Sequence, residues 1–407
     1  MSDSYEQSVD LHRTHHGKLG VQCKVPLETS EDLSRAYTPG VARPCELIKN
    51  NPDESFELTM RGNSVCVLTD GTAVLGLGNI GPAAAMPVME GKACLFKAFA
   101  DIDAIPLCVD VPDGDAGTRQ LIEIAKAIAP SYGGINLEDI SAPRCFAVED
   151  ALQDIGIPAM HDDQHGTAIV LLAAMINAMR VVNKDFNDAR VVINGAGAAG
   201  TAIAKLLRCV DHESDVCVSV KEVIMCDSKG IISPDRTGLN DEKRDLLRFT
   251  NRPGISGTLR DALKDADVFV GVSVGNLLGA DDIRLMNDDA IIFAMANPTP
   301  EITPDEARKG GATVIGTGRS DYPNQVNNVL AFPGIFRGAL DAQATRIDGR
   351  MKLAAVHALA EAVGEPSPDR VLPDPLDKAV ADRVAHAVKQ AALESGVARV
   401  AHAAAAE

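Results

Sequence analysis

The sequence predicts an α/β protein made of two successive runs of parallel-sheet units, closed by a helical C-terminus. Three observations predict it. Short β-rich apolar runs alternate with helix-like segments between residues 64 and 182. The same alternation restarts at Ala189. Alternation at this period means βαβ units and a parallel sheet. From Phe332 onward the pattern is mostly helical, with a Pro-rich break over 364–375. A chain of 407 residues has room for two or three domains. The expected division is 1–162, 163–335 and 336–407, the last packing back on the other two.

The first 35 residues are polar. Thr29 or Ser30 is placed to cap a helix running into Arg35, and Thr38-Pro39-Gly40 ends it. His12, His15 and His16 stand at i, i+3, i+4, so they share a helix face, either solvated or metal-binding. Residues 64–69 read as a strand, Asp70-Gly71 as a two-residue turn and 72–77 as the returning strand of a hairpin. A helix is expected over 83–100. Strands at 105–110, 134–137 and 157–160 then alternate with helices at 118–129, 144–155 and 167–182. In the second run a strand at 190–194 leads into a helix at 198–210. Further strands fall at 222–226, 267–272, 290–294 and 312–315. The closing Ala-rich stretch reads as a frayed helix or tail.

Composition excludes several classes. Lys plus Arg is 39 and Asp plus Glu is 57, a formal charge of −18. A chain that acidic is a poor general binder of nucleic acid or of anionic membrane. Its most apolar stretch, 168–182, is interrupted by Asn177 and Arg180 and falls short of a bilayer span. Residues 1–10 have no signal-peptide profile, which points to the cytoplasm. No two of the nine cysteines have the spacing of a zinc knuckle. They read as buried free thiols in a reducing compartment.

Three groups of residues carry chemistry. Gly195-Ala196-Gly197-Ala198-Ala199-Gly200 lies between a strand and a helix. Asp227 follows the next strand, and the polar insert 211–215 accounts for its lateness. In that context the first glycine makes a tight turn. The second admits a pyrophosphate to the helix N-terminus, and the carboxylate accepts from a ribose diol. This reads as a Rossmann-type, doubly wound dinucleotide site, the alternative being a Rossmann-like sheet without a nucleotide.

Glu138-Asp139 and Asp162-Asp163 follow neighbouring strands, so both pairs emerge where open α/β sheets place ligands. They are either solvated loop carboxylates or the shell of a hard divalent ion, Mg²⁺ or Mn²⁺. Lys92 sits in an apolar helical stretch, snorkelling or buried; a buried lysine can serve as a base. Tyr37 precedes a Pro-Gly turn, as a packed side chain or a proton donor. Asn297 and Asn328 end or follow strands, where asparagine commonly forms turns.

Taken together these motifs resemble the malic enzymes, in their short bacterial form. The matching runs are Ser34-Arg35-Ala36-Tyr37-Thr38-Pro39-Gly40; Thr69-Asp70-Gly71; Glu90-Gly91-Lys92; Asn136-Leu137-Glu138-Asp139; His161-Asp162-Asp163-Gln164-His165-Gly166-Thr167; the glycine loop; Ala296-Asn297-Pro298-Thr299; and Asn327-Asn328 before Phe332-Pro333-Gly334. They occur in family order over about residues 15–340. The resemblance implies oxidative decarboxylation of (S)-malate to pyruvate and CO₂ with a nicotinamide cofactor and Mg²⁺ or Mn²⁺. It makes residues 1–162 the catalytic domain and 163–335 the NAD(P)-binding domain.

By the same resemblance Glu138, Asp139 and Asp163 are the metal ligands. Lys92 is the proton acceptor and Tyr37 the proton donor. Lys92, Asn297 and Asn328 contact substrate. Gly195, Ala196, Gly197, Ala198 and Gly200 hold the cofactor, with Asp227, Ser228 and Lys229 at its ribose. It also implies a homodimer or higher even oligomer. Asp227 favours NAD, whereas Ser228-Lys229 suits a 2′-phosphate; the Asp-Ser-Lys-Gly string tips the reading slightly to NADP.

Two departures stand out. The turn 71–75 lacks the arginine with which larger members grip a substrate carboxylate. At 407 residues the chain is also expected to lack the phosphotransacetylase-like half of the long bacterial hybrids. The alternatives are an amino-acid-dehydrogenase-like oxidoreductase, which needs no metal, and a non-catalytic nucleotide-binding scaffold.

Overall fold

A computed structural model describes residues 2–74, 76–210 and 217–399. It contains two sheets. The first has the order β2-β1-β3-β4, all parallel, from β1 (Ser64–Thr69), β2 (Asp103–Cys108), β3 (Gly134–Leu137) and β4 (Ala159–His161). The second has the order β10-β9-β8-β5-β6-β7. Its strands are β5 (Arg190–Asn194), β6 (Glu222–Asp227), β7 (Gly230–Ile231), β8 (Val268–Gly271), β9 (Ala290–Ala294) and β10 (Ala312–Thr317). Only β7 runs antiparallel, at the edge.

Parallel strands covered by helices on both faces read as unbroken apolar runs. β1, β3 and β9 are buried along their whole length. In the first sheet the strand order reverses between β1 and β3, and in the second between β5 and β8. Ligands of open α/β sheets bind outside the carboxyl ends at such points.

The expected hairpin at 64–77 does not form. Both edges of β1 are taken by distant parallel partners, Ser64 opposite Asp103 and Val65 opposite Gly134. Beyond Thr69 the Asp70 carboxylate accepts from Thr72 N (3.1 Å) and Thr72 Oγ1 (2.6 Å), which turns the chain away from the sheet. Gly71 takes φ +71° there. Val74 pairs only with Gly78, as an isolated bridge.

The helices that carry the site lie close to expectation. Gly81–Ala100 covers the first sheet, and Asp162–Val181 starts directly at the end of β4, five residues earlier than the pattern suggests. Ala198–Leu207 follows the glycine loop. Thr29 caps Ser30–Ala36 with a reciprocal box to Asp32. The three-histidine face is not formed, because His16 lies beyond the Ser2–His15 helix at φ +56°.

One apolar core runs through both sheets and the C-terminal helices. Phe96, from the first unit, meets Phe332 and Phe336 edge-on at 4.7 and 5.5 Å. These contacts hold the Phe332–Asp341 helix against the first sheet's covering helix.

The reading of the cysteines as nine buried free thiols is corrected in two ways. Cys209 and Cys217 form a disulfide, because the left-handed turn at Cys209 (φ +54°) returns the chain to within a 5.8 Å Cα separation. Cys23 and Cys45 are exposed. The insert 211–215 and the Ala-rich tail 400–407 lie outside the described residues. Among the described residues no helix is long and apolar enough to cross a membrane.

Candidate active site

The carboxyl ends of β3 and β4 bring three carboxylates together. Glu138 and Asp139 follow β3, and Asp163 stands in the first turn of the Asp162–Val181 helix. One oxygen from each lies within 4.8 Å of the others. Asp139 adopts φ +52°, a conformation aspartate tolerates, and its N–H donates to Asp163 Oδ2 at 2.8 Å. Asp139 Oδ2 is buried without a partner.

Burial raises all three pKa values, and mutual repulsion adds to it: Glu138 to about 7, Asp139 to about 8 and Asp163 to about 6. Lys92 opposes the rise at each. Three converging carboxylate oxygens, one with no hydrogen-bond donor, fit a hard divalent cation such as Mg²⁺ or Mn²⁺.

This raises a prediction about stability. A carboxyl whose folded pKa is raised binds its proton more tightly folded than unfolded, so stability falls as pH climbs through the folded value. His161, lowered to about 4 by burial, works in the opposite sense only below its ordinary 6.5. Metal-free protein is therefore expected to lose thermal stability between pH 6.5 and about 8, through Glu138, Asp139 and Asp162, which burial also raises to about 7. Saturating Mn²⁺ should flatten that slope by removing the share of Glu138 and Asp139. Calorimetry in EDTA and in Mn²⁺ across this range checks it, and parallel slopes would contradict it.

Lys92 projects from the middle of the Gly81–Ala100 helix into the cluster and is 7 % exposed. Its Nζ lies 2.6 Å from Asp162 Oδ2 and 2.8 Å from Glu138 Oε1, over the Phe332 ring at 4.1 Å. Burial alone would lower its pKa, but Asp162 and Glu138 outweigh that and hold it above the ordinary lysine range. Asp162 is fully buried and also accepts from Asn328 Nδ2.

So Lys92, Glu138, Asp139, Asp163 and Asn328 are gathered at one place, with Asp162 as the hub. Sequence reasoning named Asp162 only as half of an acidic pair. Helical geometry separates the pair: Asp162 turns inward to the lysine and Asp163 toward the other two acids.

The glycine loop forms the second half. Gly195 takes φ +128°, and a Cβ there would lie 2.5 Å from Val272 O. A Cβ on Gly200 would meet Gly195 O at 1.8 Å, so strand and helix pack too closely for any side chain. A Cβ on Gly197 would meet nothing within 4 Å. That open side faces the first turn of the Ala198–Leu207 helix, whose N-cap has no capping side chain. The free N–H groups suit a pyrophosphate.

Asp227 ends β6 as expected, but its carboxylate is occupied. Arg236 Nη1 and Nη2 donate to its two oxygens at 2.8 and 2.9 Å, and Lys243 Nζ lies 2.6 Å from Oδ2. These cations lie 9 and 16 residues downstream, where no sequence spacing singled them out. Ser228 and Lys229 are exposed beside them.

Asn297 is exposed on the loop after β9. A Cβ on Gly76 would lie 3.1 Å from Asn297 O, so the 71–78 loop of the first unit reaches across to it. Tyr37 is not brought to Lys92 within this chain. It is 67 % exposed, and no residue from Tyr5 to Asn50 is buried.

Comparison with known proteins accords with this geometry. The model of the malic enzyme N-terminal domain matches residues 16–153, and that of the malic enzyme NAD-binding domain matches residues 164–393. A bifunctional malic/malolactic enzyme of Bacillus subtilis is 53 % identical over 97 % of this chain and 94 % of its own. An NADP-dependent malic enzyme of Halomonas elongata is 47 % identical over 98 % of this chain and 96 % of its own. The crystal structure of an NAD-dependent malic enzyme from Thermotoga maritima superposes with a TM-score of 0.88 at 46 % identity, covering 94 % of this chain and 98 % of that one. Family models that match both halves of the chain, and relatives this close along its whole length, lead to one assignment: the chain belongs to the malic enzyme family.

Proposed function

We propose that Lys92, Glu138, Asp139, Asp163, Asn297 and Asn328 carry out the family's reaction here, the oxidative decarboxylation of (S)-malate to pyruvate and CO₂ with reduction of NAD(P). The observation that carries this reading is the buried Lys92 ammonium set between Asp162 and the three-carboxylate cluster. A metal-free amino-acid dehydrogenase has no need of that cluster, and a scaffold has no need of the lysine.

Glu138, Asp139 and Asp163 would hold Mg²⁺ or Mn²⁺. When bound, that cation supplies Lewis-acid polarisation of the substrate C2 oxygen and stabilises the negative charge released as CO₂ leaves. Lys92 Nζ takes the C2 hydroxyl proton. To do so it must be neutral, which the carboxylates of the metal-free cluster oppose. Positive charge among Glu138, Asp139 and Asp163 cancels the pull of Glu138 and Asp163 and brings Lys92 down toward a working base. Asp162 fixes the amine, and the Asn328 amide shares its carboxylate. In the absence of the turn arginine, the amides of Asn297 and Asn328 take over the grip on substrate.

NADP is the preferred cofactor in this reading. With both Asp227 oxygens engaged by Arg236 and Lys243, the carboxylate has no free face for a ribose 2′-hydroxyl. The two cations, with Ser228 and Lys229 beside them, favour a 2′-phosphate.

The proton donor Tyr37 comes from a second copy of the chain, in a homodimer. The arm that carries it leaves Val21, Val25, Leu27 and Leu33 open to solvent, an apolar surface that a partner would cover. Mixing inactive Tyr37→Phe and Lys92→Ala proteins should restore roughly a quarter of wild-type activity through mixed dimers. Failure to restore any would place Tyr37 and Lys92 on the same chain.

The reaction itself is tested by absorbance at the reduced-nicotinamide band. Malate and Mn²⁺ would be supplied with NADP and with NAD in parallel, with and without EDTA. Metal-dependent reduction with pyruvate formation, faster with NADP, is expected. No reduction by folded, metal-loaded protein would overturn the assignment.

A further inference from the structure

A cavity of about 340 Å³ lies beside the first turns of the Asp162–Val181 helix. It is walled by the Arg144–Ala151, Asp162–Val181 and Ala198–Leu207 helices and by the start of Gly349–Glu361. It shares no residue with the carboxylate cluster or the glycine loop.

Its inner wall is a buried polar network. Glu149 accepts from His161 N at 3.1 Å and from Gln164 Nε2 at 3.0 Å. His165 Nε2 lies 2.9 Å from one Glu149 oxygen and 3.0 Å from the other. His165 Nε2 must therefore carry a hydrogen directed at that carboxylate. Lys352 Nζ lies 3.2 Å from the same nitrogen. A nitrogen that donates to Glu149 cannot also accept from Lys352. The Lys352 ammonium is thus left without an acceptor, and among the described residues no carboxylate lies within ion-pair distance of it. Burial holds it below the ordinary lysine range.

At the cavity's mouth stand Lys205 and Arg346, both exposed and without an ion-pair partner among the described residues, and Thr201. The facing carboxylates are already used or peripheral. Asp348 Oδ1 accepts from Met351 N as a helix cap, and Asp150 is exposed at the rim. Two ammonium groups and a guanidinium fork, with the Thr201 hydroxyl beside them, outnumber the two rim carboxylates Asp150 and Asp348 and offer the charged donors that receive a tetrahedral phosphoryl group.

We propose that this cavity is a binding site for a phosphoryl anion, anchored on Lys352 with Lys205 and Arg346 closing over it, distinct from the malate and dinucleotide sites. Glu149 connects the site to catalysis. It holds the backbone of His161 immediately before Asp162 and Asp163, so a ligand that draws Lys352 outward acts on the first turn of the helix bearing the metal ligand and the lysine's partner.

The test is calorimetric titration of the NADP-saturated protein, with both cofactor phosphate positions filled. The probes are inorganic phosphate and, separately, glycerol 3-phosphate. One phosphoryl group per chain is expected to bind. Affinity should fall at least tenfold in Lys352→Met and several-fold in Lys205→Ala and Arg346→Ala. The last two are surface substitutions that leave folding intact if Lys352→Met does not. Tighter binding of the monoester identifies a phosphorylated metabolite as the ligand, and equal binding identifies free phosphate. No binding of either probe, or binding that all three variants leave unchanged, would overturn the proposal.

Discussion

Lys92→Ala is expected to abolish malate oxidation, lowering kcat by roughly a thousandfold or more, while dinucleotide binding persists. The glycine loop and Asp227 belong to the second sheet, and among the described residues the ion pairs of Asp227 involve none of Lys92's partners, so bound-NADPH fluorescence should titrate as in wild type. The ammonium is also the sole cation paired with Asp162 and Glu138 among the described residues. Its removal leaves two buried carboxylates without their counter-charge, at a cost of about 3–5 kcal/mol unless they take up protons. Lost activity in Lys92→Ala could then reflect a lost fold.

Lys92→Arg separates the two effects. A guanidinium keeps the positive charge but cannot release its proton at any working pH. It should restore thermal stability toward wild type and leave turnover as low as in the alanine variant. Turnover within tenfold of wild type in both variants would remove Lys92 from the mechanism.

How far the site could be read from the chain depended on whether a residue's role follows from local position. The glycine loop and the acidic pairs sit at the ends of strands, and a parallel strand delivers whatever follows it to one edge of the sheet. Spacing therefore put Gly195, Glu138 and Asp163 at the sheet edges, and the resemblance to the malic enzymes gave the two acids a metal to hold. The same rule failed at residues 64–77, where Asp70-Gly71 has every local mark of a hairpin turn. What prevents the hairpin is non-local: β1 finds its partners beyond residues 100 and 130, and the two together leave it no free edge. Arg236 and Lys243 were missed for a related reason. They reach Asp227 through a chain reversal after β7, so nothing in their spacing marks them as partners of the acid. Tyr37 was named from its motif, and the fold of one chain leaves it in solvent. Nothing in the spacing of its motif says which residue an exposed tyrosine would meet.

The adjacent acids Asp162 and Asp163 offer the sharpest separation of roles. Asp163→Asn should raise the Mn²⁺ concentration needed for half-maximal activity on the order of a hundredfold. The loss exceeds that of one charge, because Asp163 Oδ2 already accepts from the Asp139 N–H. An asparagine has one acceptor oxygen. If the amide keeps that hydrogen bond, its NH₂ faces the cation; if it flips, Asp139 loses the contact that shapes its left-handed turn.

Asp162→Asn removes a buried charge of the same kind one residue away, yet Asp162 points to Lys92 and Asn328. It should leave the Mn²⁺ midpoint within a few-fold of wild type. The principal pull holding Lys92 charged is lost, so the acidic limb of the kcat profile moves to lower pH. Metal titrations of the two variants, each repeated across pH, distinguish the assignments. Equal shifts in metal midpoint for both would show that the cation is held by all four acids, with the lysine bound to their collective charge.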